Sequence, residues 1–198
     1  LYDELCIGCT WYNDPSIFRL LDSIPKEIDV LVVDGKFTEM KGEPFSEKEM
    51  KDKVESYPNV TLVGFTGSEV DKRNFMMQTI GLHKYCLIID SDEFVKMADW
   101  PYFYKECCKH DEGILGVRLE FGFGGSGYFG HVWVHPRDWE FYKTHKNFRN
   151  KKTGKVVSSG VWGKVHLPGI LIRGDDTLRS TAYSQKLEDY QKILWSKQ

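Results

Sequence analysis

Leu87-Ile88-Ile89-Asp90-Ser91-Asp92-Glu93-Phe94 runs three apolar residues straight into three acids within four positions. A short, continuous apolar run that ends in charge is the pattern of a buried parallel strand delivering side chains to a sheet edge. In an extended chain residues two apart face the same side, which predicts that Asp90 and Asp92 converge on one cation. Two carboxylates held that close are costly unless a cation or a proton neutralises them. Hard oxygen ligands of this kind suit Mg²⁺ or Mn²⁺, ions that commonly also hold substrate phosphates. The plainer alternative is an acidic turn that caps the next helix.

Working outward, three earlier segments repeat the same arrangement. Leu5 to Thr10 is an apolar run, followed by a helical pattern from Asp14 to Ser23 with Ile17, Phe18, Leu20 and Leu21. Ile28 to Val33 is continuous and β-branched and stops at Asp34-Gly35; the charged stretch Ser46 to Tyr57 follows as a second helix. Val60 to Phe65 reads as a third strand, and Ser68, three residues before Asp71, opens a helix expected to reach about Lys84. Strands alternating with helices predict an α/β fold with a mainly parallel sheet covered on both faces, and such sheets bind ligands at the strand C-terminal ends.

Beyond a helix expected over Trp100 to His110 the texture changes. Gly113 to Phe123 and His131 to Pro136 are strand-like, Lys152-Thr153-Gly154-Lys155 is a tight turn, and this half reads as antiparallel. Ser180 to Trp195 sets Tyr183, Leu187, Tyr190 and Leu194 on one face and predicts an amphipathic helix.

The chain has 198 residues, 41% hydrophobic and 28% charged, with a net charge of −2. That is the composition of one soluble globular domain, and it argues against nucleic acid as a partner. A local basic cluster does stand out, Lys143, Lys146, Arg149, Lys151, Lys152 and Lys155, and reads either as a solvated hairpin face or as a contact to an anionic acceptor or lipid surface. Five cysteines without framework spacing favour free thiols in a reducing compartment; Cys6 and Cys9 form a CxxC inside an apolar strand with no second pair. Neither a spanning helix nor a signal peptide is visible, and a cytoplasmic location is expected.

Other residues join the acids. Asp34 ends the second strand as Asp90 follows the fourth, and Thr10 to Asn13 ends the first, so three strand ends present polar groups to one edge. Val70, Arg73, Met77 and Ile80 share helical spacing, placing a cation on an otherwise apolar stripe; a buried arginine calls for an anion. Gly122, Gly124 and Gly127 satisfy G-x-G-x-x-G, but they lead into a strand rather than a helix, which excludes a dinucleotide site. His131, His135, His145 and His166 are possible metal ligands or bases.

Together these residues resemble the GT-A glycosyltransferases, particularly the inverting family-2-like enzymes. The resemblance rests on Thr10-Trp11-Tyr12-Asn13, Asp34, Arg73-Asn74 and Asp90 to Glu93, and covers Leu5 to Phe94 well. It implies a single GT-A domain, Rossmann-like, with a nucleotide-sugar-binding half over 1–97 and an acceptor-binding half over 98–198. It further implies that Thr10, Tyr12 and Asp34 hold base and ribose, that Arg73 lies near the donor, and that Asp90 and Asp92 bind Mn²⁺ or Mg²⁺ and the diphosphate. The second half matches poorly. Asp138 or Glu140, with Glu120 behind them, are the expected bases, and His166 competes with Asp175 and Asp176 as the late metal ligand. The implied reaction transfers a sugar from a nucleotide diphosphate, in the first instance a UDP-sugar, to a hydroxyl of a glycan, lipid or protein acceptor, with inversion. Two alternatives stand beside it: a catalytically silent nucleotide-sugar-binding protein, and a phosphatase of the haloacid dehalogenase type. The latter usually carries its D-x-D on the first strand, whereas three strands precede Asp90 here.

Overall fold

A computed structural model describes residues 2–95, 100–109, 113–121, 126–143, 147–157 and 166–173. Its first half alternates as the sequence predicts: β1 (Leu5–Trp11), α1 (Ile17–Ser23), β2 (Asp29–Asp34), α2 (Lys48–Glu55), β3 (Val60–Gly64), α3 (Glu69–Ile80) and β4 (Tyr85–Ile88). These strands pair in parallel in the order β3-β2-β1-β4, with Trp11 in register with Asp34 and Gly8 with Ile88. The register brings the C-terminal ends of β1, β2 and β4 to one edge.

The rest of the main sheet comes from β5 (Glu93–Val95), β6 (Gly113–Phe121), β7 (Ser126–Val134) and β11 (His166–Arg173); α4 (Trp100–Cys107) falls between β5 and β6. β7 joins antiparallel to β4, and β6, β11 and β5 complete eight strands in the order β3-β2-β1-β4-β7-β6-β11-β5. Strands from both halves of the chain therefore share one sheet. A second, antiparallel sheet of β8 (Trp139–Lys143), β9 (Asn147–Asn150) and β10 (Val156–Val157) forms the smaller part expected of the C-terminal half. The predicted helix over 180–195, and with it Gly122, Gly124, His145, Asp175 and Asp176, lies outside the described residues.

Alternation along the strands sorts the core into two faces. Leu5, Ile7, Cys9, Trp11, Val30 and Val32 pack with α1, α2 and α4 on one side; Cys6, Leu31, Val33, Cys86 and Ile88 pack with α3 and the small sheet on the other. The same alternation settles the CxxC. Cys6 and Cys9 are three apart in a strand, so they point to opposite faces, both buried, and cannot share a metal or a disulfide. Burial also pushes the Cys6 thiol up to about 12, far from a reactive thiolate.

Helix α3 is shorter than the expected reach to Lys84. Ser68 caps it by accepting from the Asp71 amide at 3.1 Å, and Gly81 closes it. Of the predicted stripe, Arg73, Met77 and Ile80 are buried and Val70 is half-buried, while Glu69, Lys72 and Met76 widen the buried face. That face thus begins with three charged residues and ends in three apolar ones. Gly8 on β1 leaves room for the apolar end, since a Cβ there would stand 2.9 Å from the Met76 sulfur.

Beside the apolar packing of Met76, Met77 and Ile80 against Trp139, Phe141 and Phe148, one side chain of α3 hydrogen-bonds the small sheet directly. Asn74 donates to the Phe141 carbonyl at 2.8 Å and accepts from its amide at 2.7 Å, standing in for a neighbouring strand. Replacing Asn74 with Ala removes both bonds, and about 2 kcal/mol of stability is expected to go with them. Urea denaturation measures this; a loss below about 0.5 kcal/mol would show that water substitutes for the amide.

Candidate functional site

The turn after β1 is built on its own polar atoms. Trp11 donates from its indole nitrogen to the Asp14 carbonyl at 2.8 Å, and the Asp14 carboxylate accepts from the Ser16 amide at 3.0 Å. Asn13 adopts φ 49°, a left-handed conformation that asparagine tolerates better than most residues. Thr10, half-buried, lies just before this turn, and Tyr12 is buried within it. Asp14 went unnoticed in the sequence, although Asp-Pro-Ser is a turn signature in which the aspartate accepts from the amide two residues on.

At the end of β2, Asp34 is 1% exposed. Its carboxylate accepts from the Ser46 hydroxyl at 2.5 Å and from the Ser46 amide at 3.1 and 3.2 Å. Tyr12 donates from its hydroxyl to the Glu43 carbonyl at 2.7 Å, so both side chains meet the same incoming segment. Asn13 joins them: its amide donates to the Ser46 hydroxyl oxygen at 2.8 Å, and its side-chain oxygen accepts from the Glu47 amide at 2.9 Å.

Between these strand ends lies Lys72, 1% exposed. Its ammonium donates to the Trp11 carbonyl at 2.8 Å and to the Gly35 carbonyl, bridging β1 to the residue that follows β2. Burial drives the Lys72 pKa down from the ordinary 10.5 to about 7, with the Asp34 carboxylate opposing the fall. The next residue, Arg73, turns to the third strand end. Glu69 holds its Nε at 3.0 Å, and its Nη2 stands 3.6 Å from an Asp90 carboxylate oxygen. The first turns of α3 therefore tie the ends of β1, β2 and β4 together. Lys72 lies beside the predicted stripe of Val70, Arg73, Met77 and Ile80 and was missed because the buried face is wider than that stripe; its spacing of three from Glu69 and four from Met76 is the signal that was there.

Asp90 to Glu93 is a turn rather than an extension of β4. The Glu93 amide donates to the Asp90 carbonyl at 3.0 Å, while the Asp90 amide donates to the Glu93 carboxylate at 3.2 Å. This corrects the expectation that alternation aims Asp90 and Asp92 at one point, because alternation ends where the turn begins. The Asp90 side chain is 34% exposed, whereas Asp92 is buried at 5%. Ser91 donates to Asp14 at 2.7 Å and locks the turn to β1; Glu93, also buried, faces a ring nitrogen of the buried His131 at 2.9 Å. Among the described residues, no group of three or more His, Cys, Asp or Glu side chains is arranged to hold a metal ion.

Of the residues expected from the second half, Asp138, Glu140 and His166 are not brought to this edge, whereas Glu120 is in register with Ile172 and, across β11, with Phe94 just past the acidic turn. Asp138 lies in a groove of 340 Å³ with Leu82, His83 and Lys84, at the start of β4, the opposite end of the strand from Asp90. There it pairs with Lys152 at 2.6 Å, whose hydrogen bond and charge hold its carboxyl below the usual range, the reverse of what a general base needs. Glu140 sits between the buried Trp139 and Phe141, so it points away from α3, and it meets Arg149 at 2.5 Å. His166 starts β11, and the residue in register with Glu93 is Arg173 at that strand's other end, about 20 Å away along the backbone. Glu120, near the end of β6, pairs with Ile172 of β11 and Ser126 of β7.

No protein-family model matches the chain, and no curated protein matches it. Among solved structures it is similar to a crystal structure of S. aureus TarS, residues 1–349, at 20% identity and a TM-score of 0.44, over 62% of this chain and 37% of that one. It is similar also to the same TarS fragment in complex with UDP-GlcNAc, at 18% identity and a TM-score of 0.47, over 62% and 36%. The chain thus spans little more than a third of the length of those fragments.

The Lys72 bridge carries a pH signature. With a folded pKa near 7 against 10.5 when unfolded, the unfolded chain holds an extra proton between those values. Its contribution to stability therefore rises with pH across that window and is level below it. Lys72→Met should remove the rise and leave the Gly35 carbonyl without its donor, lowering stability by about 1–3 kcal/mol at the alkaline end of the window. Chemical denaturation of both proteins from pH 6 to about 9.5 measures the difference; parallel profiles would show that Lys72 does not lose its proton in the fold.

Proposed function

We propose that this chain is a nucleotide-sugar glycosyltransferase whose donor site is the edge formed by the ends of β1, β2 and β4. The observation that supports it best is the placement of consecutive cations: Lys72 secures β1 and β2, while Arg73 stands 3.6 Å from the half-exposed Asp90. An accessible carboxylate at a sheet edge, backed by a guanidinium, suits a diphosphate bridged to it by a divalent cation.

In this reading Thr10, Tyr12 and Asp34 take the base and ribose, and Arg73, near the donor, acts from behind Asp90. Asp90, with Asp92 behind it, holds Mg²⁺ or Mn²⁺. The residues fit such an ion, because these metals usually take one or two carboxylates and complete their shell with substrate phosphates and water rather than a protein cage. When bound, the ion stabilises the negative charge that develops on the departing nucleotide diphosphate. Glu69 keeps the Arg73 guanidinium from rotating away, so that its charge is in place before the bond breaks. Sugar transfer to an acceptor hydroxyl by single displacement, with inversion, completes the proposal. The exposed Lys151, Lys152 and Lys155 of the small sheet suit an anionic acceptor or lipid surface. No helix of the described residues is long and apolar enough to cross a membrane.

UDP, present in one TarS structure, and UDP-GlcNAc, present in another, are the first donor probes. Thermal shift with UDP and Mn²⁺ is expected to stabilise the wild-type chain, and Asp90→Asn should lose the Mn²⁺-dependent part of that shift. The same variant should lower turnover of a UDP-sugar by at least about a hundredfold with its melting temperature in the absence of ligand unchanged. Binding of UDP without turnover over a broad acceptor panel would favour a silent nucleotide-sugar-binding protein instead.

A further inference from the structure

Two of the side chains assigned to the nucleoside are already engaged by the chain itself. Asp34 is 1% exposed and Tyr12 is 5% exposed, too little for either to meet a ligand as they stand. What covers them is one short segment: Ser46 presents an N–H and an O–H to Asp34, and Glu43 presents its carbonyl to the Tyr12 hydroxyl. An N–H and an O–H aimed at a carboxylate are the donors that a nucleobase and a ribose would supply. We propose that segment 42–46 is a strap that stands in for the nucleoside, and that donor binding displaces it by exchanging the Ser46 donors on Asp34 for those of the nucleotide. This rests on the donor-site reading above and adds to it how entry to that site is controlled.

The strap is held by hydrogen bonds and by Phe45 over Gly64 rather than by the main cores. Gly42, at its start, has φ 106°, a conformation that favours glycine, and residues 41–45 are exposed. Its neighbour Met40 is buried only in a small cluster with Tyr12 and Phe37, separate from both main cores. Few buried apolar contacts and exposed backbone are the properties of segments that open well below the global unfolding free energy. The hydrogen bonds that hold it down are those to Tyr12, Asn13 and Asp34, together with Lys36, which donates from its amide to the Pro44 carbonyl at 3.0 Å and from its ammonium to the Gly42 carbonyl at 2.7 Å. A groove of 430 Å³ between Tyr12, Asn13 and the strap, with Lys48 and Lys51 on its wall, leaves space on the outer side for the segment to shift.

A ligand that must displace a competing contact binds more weakly by the free energy of that contact. Calorimetry with UDP and Mn²⁺ on the wild type and on Ser46→Ala tests this: the variant, with one bond to a charged acceptor removed, is expected to bind UDP roughly tenfold more tightly. Hydrogen exchange on the wild type provides a second reading that does not depend on the variant folding. The Ser46 amide should exchange faster in the UDP complex than in the free protein, because its acceptor has been taken. Equal or weaker UDP binding by Ser46→Ala would overturn the strap while leaving the donor site standing, as would a Ser46 amide that becomes more protected on binding. If UDP, ADP, GDP and CDP all fail to bind either protein, the donor-site reading itself falls, and the strap with it.

Discussion

The arrangement depends on a lysine buried where a lysine is expensive. An ammonium removed from water loses a hydration free energy that few interactions replace, and Lys72 offsets only part of that loss with two backbone carbonyls and the nearby Asp34 carboxylate. Those carbonyls belong to Trp11 and Gly35, the points where the chain leaves the sheet after β1 and β2. The ladder already joins these ends, since the Gly35 amide donates to the Trp11 carbonyl at 3.2 Å, and Lys72 adds a donor shared by both turns. With it, the spacing of the two strand ends is also held by the rigid body of α3.

The same helix reaches the third strand end through its next residue. Because Lys72 and Arg73 are adjacent they diverge by about 100° around the helix axis, which is enough to serve β1 and β2 with one and Asp90 with the other. Glu69, one turn earlier, absorbs part of the Arg73 charge through a buried contact and leaves the Nη2 side toward Asp90. Asp14 and Ser91 close the ring by fastening the acidic turn to the turn after β1. Polar groups in this network are costly one by one and stabilising as a set, since each supplies the partner another lacks.

Much of this was legible from residue order. The four parallel strands follow from continuous apolar runs that end in polar residues, and the pairing of Trp11 with Asp34 at one edge follows from their equal positions on neighbouring strands. Arg73 was readable as a buried cation in search of an anion. The full width of the buried face of α3 was less legible, because a face that starts with Glu69, Lys72 and Arg73 carries no apolar periodicity in its first turn. The bases sought in Asp138 and Glu140 illustrate a different failure. Their proximity in sequence to a poorly matched region said nothing about which end of β4 or which face of β8 they would occupy, and long-range pairing with Lys152 and Arg149 decided both.

By itself, then, the sequence determined the α/β alternation, the two-sided burial of the parallel strands and the acids that follow the fourth of them, because local periodicity and turn residues act within a few positions. Only the tertiary structure decided what those acids do. The turn that binds the Glu93 amide to Asp90 ends strand alternation and leaves Asp90 half-exposed and Asp92 buried. Asp34 is covered by Ser46, twelve residues away, for a reason no spacing rule contains: a buried carboxylate takes whichever donors the folded chain brings within reach.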